Sequence, residues 1–206
     1  MAAFAIFGAN AQHQITGFQK SYAFKWNPSG LYFGKIALQT EYNFKKKKSF
    51  TFDLGIPYNK TIIRNINNED KSLALKTFSV KGGYRMYLGK KTMTGVYFEP
   101  YLKYLKNDAS TSFRSNNNTA YVLTSSYSGV GLGAQLGVQF MIAKRLTFDF
   151  FFLGPEANTV HHKAILQDIS TTKNWDDHDA QNKRVTSSYN GFLPGFRFGL
   201  SVGWHF

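Results

Sequence analysis

The stretch Phe196-Arg197-Phe198-Gly199-Leu200-Ser201-Val202-Gly203-Trp204-His205-Phe206 decides how the rest of the chain is read. Its even positions (Phe196, Phe198, Leu200, Val202, Trp204, Phe206) are large and apolar; its odd positions (Arg197, Gly199, Ser201, Gly203, His205) are polar or small. Strict period-two alternation describes a strand with one apolar and one polar face. Such a strand fits the wall of a closed barrel whose outside meets lipid, or the edge of a soluble sandwich. A soluble edge strand seldom carries an unbroken apolar row of this length, which favours the barrel.

Composition agrees with that choice. The 206 residues suit one domain. Aromatics make up 17%, with 20 Phe and 12 Tyr, yet the mean hydropathy is −0.32. No apolar run approaches the roughly 18 residues of a spanning helix. Alternating barrel strands escape that test because apolar and polar residues average out. The absence of cysteine excludes disulfides, thiolate metal sites and cysteine nucleophiles.

Working back from the end, the same alternation recurs seven times. Phe18, Tyr22, Phe24 and Trp26 alternate with Gln19, Ser21, Ala23 and Lys25, despite Lys20 on the apolar side, giving a first strand over about 15–26. Asn27-Pro28-Ser29-Gly30 is turn chemistry. Tyr32, Ile36, Leu38, Tyr42 and Phe44 form a second apolar row, and Phe50, Phe52, Leu54 and Ile56 a third. A fourth strand covers about 77–88, and a fifth about 96–104, in which Pro100 removes a ladder donor and suggests a bulge. In the sixth, Val130, Leu132, Leu136, Val138 and Phe140 oppose Gly129, Gly131, Gly133, Gln135, Gly137 and Gln139. Leu146, Phe148, Phe150 and Phe152 define the seventh. Short turns (45–48, 89–95, 143–145) alternate with long polar stretches at about 59–74, 106–127 and 154–191, expected to be extracellular loops.

Residue type then fixes which face is inside. One face collects Lys35, Glu41, Asp53, Lys81, Arg85, Glu99, Lys103, Asp149 and Arg197 together with many glycines, and the other nearly all the aromatics. Those charges could not fill the core of a lipocalin-like soluble barrel, but they suit a membrane barrel's lumen. The apolar face gives two aromatic girdles, with Trp26, Tyr32, Tyr58, Tyr104, Phe152 and Phe196 near one rim and Tyr42, Phe44, Phe140, Trp204 and Phe206 near the other. Eight strands enclose a space that side chains just fill, so the lumen is expected to be a salt-bridged plug; a narrow channel through the Gly-rich strands is the alternative.

Much of the net charge of +13 comes from the short turns, where Lys45, Lys46, Lys47, Lys48, Lys90, Lys91, Lys144 and Arg145 carry no acid among them. On the periplasmic side they would meet anionic headgroups or an acidic partner, or be simply solvated. No aromatic-interleaved basic groove suggests nucleic acid. His161, His162, Asp168, Asp176, Asp177, His178 and Asp179 lack a recognised metal-ligand spacing, and nothing in the sequence holds a histidine against Ser187 or Ser188 as a hydrolase would require. No catalytic residue, metal or cofactor is expected. Residues 1–11 end in Ala9-Asn10-Ala11, an A-x-A pattern, and read as a truncated signal-peptide remnant before a barrel over 12–206, with a mis-assigned start accounting for the missing basic n-region; a first strand that simply begins early is the alternative.

The segments Lys25-Trp26-Asn27-Pro28 through Gln39-Thr40-Glu41-Tyr42, Lys81-Gly82-Gly83-Tyr84-Arg85-Met86-Tyr87, Val96-Tyr97-Phe98-Glu99-Pro100-Tyr101-Leu102-Lys103-Tyr104 and Leu193-Pro194-Gly195-Phe196-Arg197-Phe198-Gly199-Leu200, in that order, resemble a domain-of-unknown-function family of small outer-membrane barrels common in Bacteroidota. The resemblance implies an eight-stranded antiparallel up-and-down transmembrane β-barrel of OmpA/OmpX-like architecture, and no chemistry. The row Phe198, Leu200, Val202, Trp204 and Phe206 also resembles the C-terminal signal read by the barrel-assembly machinery. The expectation is therefore a non-enzymatic outer-membrane anchor or accessory subunit, in contact with lipid, lipopolysaccharide and other outer-membrane or periplasmic proteins. A small channel is the alternative, and a lipid-modifying enzyme a more distant one.

Overall fold

The computed structural model describes residues 20–66, 69–114, 120–143, 145–168 and 187–206. Its strands are β1 (Ser21–Asn27), β2 (Lys35–Lys45), β3 (Lys48–Pro57), β4 (Lys60–Ile66), β5 (Glu69–Tyr87), β6 (Gly95–Arg114), β7 (Ala120–Ile142), β8 (Leu146–Leu153), β9 (Pro155–Asp168), β10 (Ser187–Phe196) and β11 (Gly199–His205). A ring of antiparallel pairs runs β1-β2-β3-β5-β6-β7-β8-β11 and returns to β1, making a closed eight-stranded barrel. Closure is made by the alternating C-terminal stretch: Trp204 lies opposite Phe24 and Val202 opposite Trp26. Phe206 and Tyr22 exchange backbone hydrogen bonds at 2.8 and 3.2 Å.

The remaining strands continue three of these passes beyond short breaks. β4 follows β3 across Tyr58 and Asn59, β9 follows β8 across Gly154, and β10 follows β11 in space across Arg197 and Phe198. The last two breaks face each other, with the Arg197 amide donating to the Gly154 carbonyl at 2.8 Å. Above them the order is β10-β9-β7-β6-β5-β4, an open sheet whose edges are β10 and β4 among the described residues. The stretches 59–74, 106–127 and 154–191, which read as loops, are thus paired strand over most of their described length. They lack the apolar outer row that marks a strand in the sequence, yet the backbone ladder runs on: Ser112 on β6 still faces Val122 on β7. The expected signal remnant at 1–11 and first-strand residues before 20 lie outside the described residues, as do Asp176, Asp177, His178 and Asp179.

The wall is lowest between those two edges. There β1 and β2 are joined by a 3-10 helix, Pro28–Phe33, which takes Tyr32 out of the second strand where the alternation had put it. Pro28 starts the helix and the Asn27 side chain accepts from the Ser29 amide at 3.0 Å. Gly34, which ends the helix, is left-handed (φ 68°). A Cβ on Gly34 would lie 2.6 Å from the Leu75 carbonyl oxygen, and the Gly34 carbonyl itself accepts from the Tyr58 and Thr77 amides.

At the opposite end the connections are short. The β2–β3 turn consists of lysines with no glycine, because the Asn43 amide donates to the carbonyls of Lys45 and Lys48, each at 3.0 Å, and a bulge after Asn43 sharpens the reversal. The β5–β6 connection folds under the barrel and inserts Met93, in a left-handed conformation (φ 51°) and with no exposed surface, against Ala23, Tyr87 and Tyr97. Pro100 causes no bulge. Gly83–Tyr101 and Met86–Phe98 keep one register, and the β5–β6 ladder merely lacks pairs between them, where Pro100 has no N–H to give.

The two faces have opposite character throughout the closed ring. Arg85, Glu99 and Asp149 are 0% exposed, whereas Phe198 is 74% and Leu132 65% exposed on the outside. A soluble barrel would not present that apolar outer belt to water; this inside-polar, outside-apolar distribution is that of a transmembrane barrel.

Candidate functional site: the lumen and its cavity

Inward parity delivers the charged side chains to one shaft, where they form two tiers. The lower tier centres on Arg85 of β5, which shares its inward face with Lys81 and Tyr87. Its Nε donates to Glu99 Oε2 at 2.6 Å, and its Nη1 to Asp149 Oδ2 at 2.7 Å, Gln139 Oε1 at 2.7 Å and Glu41 Oε2 at 3.2 Å. The guanidinium also lies 3.8 Å from the centre of the Tyr97 ring, which covers its remaining face. Lys25 of β1 reaches the same carboxylates from across the barrel, 2.6 Å to Glu41 and 3.0 Å to Asp149. Lys81 donates to Glu99 Oε1 at 2.6 Å, as does the Thr51 hydroxyl at 2.9 Å. Tyr87 and Tyr97 give their phenolic protons to Glu41 and Asp149, at 2.6 and 2.5 Å.

Three cations (Lys25, Lys81, Arg85) therefore meet three carboxylates (Glu41, Glu99, Asp149), all nearly or fully buried. Taking such charges out of water costs several kcal/mol each, which the ion pairs offset; Arg85 Nη2 is the one nitrogen of that guanidinium with no hydrogen-bond partner among the described residues. Side chains fill this cross-section, and the glycines of β7 that could have left a gap instead admit tyrosines. A Cβ on Gly137 would sit 2.4 Å from the Tyr97 ring, and one on Gly133 2.5 Å from Tyr101.

The upper tier is looser. Arg197 donates to Asp53 Oδ2 at 3.0 Å, with its guanidinium 4.9 Å from the Phe151 ring. Asp53 also meets Lys81 at 3.1 Å. Lys103 pairs with Glu156, which accepts a second bond from the Tyr101 hydroxyl at 2.8 Å. Lys35 has no carboxylate within salt-bridge range among the described residues; its Nζ donates to Ser79 Oγ at 2.9 Å. Above this tier lies a cavity of about 320 Å³.

The structure places all of Lys35, Glu41, Asp53, Lys81, Arg85, Glu99, Lys103, Asp149 and Arg197 inside the shaft. Sequence reasoning missed two members. Lys25 had inward parity but was left out of the charge count, and Glu156 lay in a stretch read as loop. The turn cations Lys45, Lys46, Lys47, Lys90, Lys91 and Arg145 are exposed at the end closed by Met93, while Lys48 is half-buried with its ammonium 5.8 Å from the centre of the Tyr84 ring. Lys144 lies outside the described residues. Phe198, Leu200, Val202, Trp204 and Phe206 form one outward row, Leu200 beside Phe150 and Val202 beside Phe148.

The histidines have polar neighbours of their own. His161 Nδ1 is 2.8 Å from Asn190 Oδ1 and His162 Nε2 2.8 Å from Ser125 Oγ. Ser187 and Ser188 stand opposite Ala164 and Lys163 on β9. Among the described residues no three His, Cys, Asp or Glu side chains gather as metal ligands would.

No family model matches this chain, and no curated protein matches it. Among solved structures it is similar to a major outer membrane protein of Thermus thermophilus, with 12% identity over 92% of this chain and 100% of that one and a TM-score of 0.45. It is also similar to CarO of Acinetobacter baumannii, with 12% identity over 91% of this chain and 96% of that one and a TM-score of 0.41.

Proposed function

We propose that this chain is a non-enzymatic integral barrel of the bacterial outer membrane, a rigid anchor or accessory subunit that binds partners in a larger outer-membrane assembly. The observation that carries this reading is the closed lower cross-section, with Arg85 and its ring of carboxylates fully buried above the Met93 stopper. A shaft filled in this way favours work done at the outer surfaces over passage through the middle. The apolar belt meets lipid, the basic turn end faces the periplasm, and the strand extensions face outward with lipopolysaccharide. The row ending at Phe206 serves insertion by the barrel-assembly machinery. Membership in the Bacteroidota barrel family is part of this proposal, resting on the ordered segments quoted above.

Extraction in a gentle detergent should recover the protein with stoichiometric outer-membrane or periplasmic companions. A solitary monomer on native gels would count decisively against the accessory-subunit role. Planar-bilayer recordings of the same material should stay silent; stable ion-selective steps would establish the channel instead. Lipid A from deletion and parent cells should be identical, and a change in its acyl chains would establish an enzyme.

A further inference from the structure

The cavity above the upper tier has features that an inert plug does not need. Its lining carries four cations (Lys35, Lys81, Lys103, Arg197) against two carboxylates (Asp53, Glu156); Lys81 is paired below with Glu99, and the excess charge sits on Lys35. The lower tier is balanced within itself, so among the described residues nothing below compensates that charge. A half-buried ammonium whose partner among the described residues is a single hydroxyl is a poor use of a buried charge unless an anion completes it. The cavity walls are different in kind: Phe33, Leu105 and Phe151 line it. Between floor and walls, Thr77 Oγ1 and the side-chain amides of Gln39 and Asn107 each contribute a buried polar atom with no partner among the described residues. Polar groups converging at one end of a mostly apolar pocket of about 300 Å³ or more are the usual anatomy of a small-molecule site.

The cavity is also reachable. Its lining runs from the lumen to Phe196 and Phe198, which stand on the outer face at the junction of β10 and β11, beside the low wall left by the 3-10 helix. We propose that this cavity binds a small organic acid with an apolar body, its anionic group on Lys35 and its body against Phe33, Leu105 and Phe151. The size favours one ring or a short chain. Arg197 and Lys103, already engaged by carboxylates, set the polarity of the floor, while Lys35 makes the contact that selects an anion.

The test uses the whole protein in nanodiscs of zwitterionic lipid, with 4-(trifluoromethyl)benzoate as probe and fluorine NMR as the readout. Saturable one-site binding of the benzoate is expected, with the uncharged 4-(trifluoromethyl)benzamide at least tenfold weaker. Lys35→Met should weaken the benzoate at least tenfold and leave the benzamide unchanged, while Lys91→Ala in the distant turn should alter neither. Heat-modifiable gel mobility checks that each variant is folded, and Lys35→Gln serves if the methionine variant is not. Equal uptake of acid and amide, or benzoate binding indifferent to Lys35, would overturn the proposal by showing partition into lipid only. Inorganic phosphate competing as well as the benzoate would overturn the apolar part. Loss of benzoate binding on adding anionic lipid would replace the soluble acid with a headgroup.

Discussion

The two tiers of the shaft are built from the same residue types and behave differently. In the lower one, Arg85 touches three carboxylates and every lysine has at least one, all within 3.2 Å. In the upper one each carboxylate serves a cation but Lys35 is left with Ser79, and space opens beside it. The cause lies in the wall. Around the lower tier the ring of eight strands is complete, so side chains converge from all sides. At the upper tier the wall is broken at Tyr58–Asn59, Gly154 and Arg197–Phe198, and the β1–β2 pair ends in a 3-10 helix. Full closure forces charge neutralisation, whereas a broken wall lets a charge and a cavity persist.

The largest expected effect comes from breaking the lower tier. Arg85→Ala leaves Glu41, Glu99 and Asp149 short of a shared cation, and should cost about 3–5 kcal/mol in urea unfolding followed by gel mobility in lipid. The same removal in the upper tier, Arg197→Ala, should cost markedly less, because Arg197 and its partner Asp53 keep some contact with solvent. If the two variants proved equally destabilising, the contrast between tiers would fail. Met93→Ala is next. Emptying a fully enclosed site under the lower tier should cost about 2–4 kcal/mol in the same unfolding measurement, with planar-bilayer recordings still silent because the charged tier above remains. The smallest effect sharpens the role of packing: Gly133→Ala, driven into the Tyr101 ring, should cost about 1–3 kcal/mol, and adding Tyr101→Phe should leave that cost in place because the ring remains.

The membrane-facing belt was legible because lipid on one side and charge on the other enforce alternation residue by residue. That is why nine lumen charges could be assigned from parity alone. Legibility stopped where the enforcement stopped. On β6 and β7 above the belt, Lys106, Asp108, Ser110 and Ser112 face outward opposite Ser128, Ser126, Thr124 and Val122, with no apolar row to mark a strand. Glu156 was hidden for this reason. Pro100 misled in the opposite direction, since a missing donor can be absorbed as a gap in one ladder without any shift of register.

Sequence by itself determined the closed barrel, its inward and outward faces and the closing role of the stretch from Phe196 to Phe206, because a period of two admits only two faces and only one can hold the charges. It did not determine which charge meets which. Lys25 and Glu41 are close in sequence, but Lys25 and Asp149, or Asp53 and Arg197, come together only when the first and last strands pair and bring distant parts of the chain across the shaft. Tertiary structure alone decided that Met93 closes one end, that tyrosines occupy the room left by glycines, and that Lys35 has no carboxylate among the described residues beside an open cavity. Each depends on distances across the barrel, and those are set by closure and by where the wall breaks.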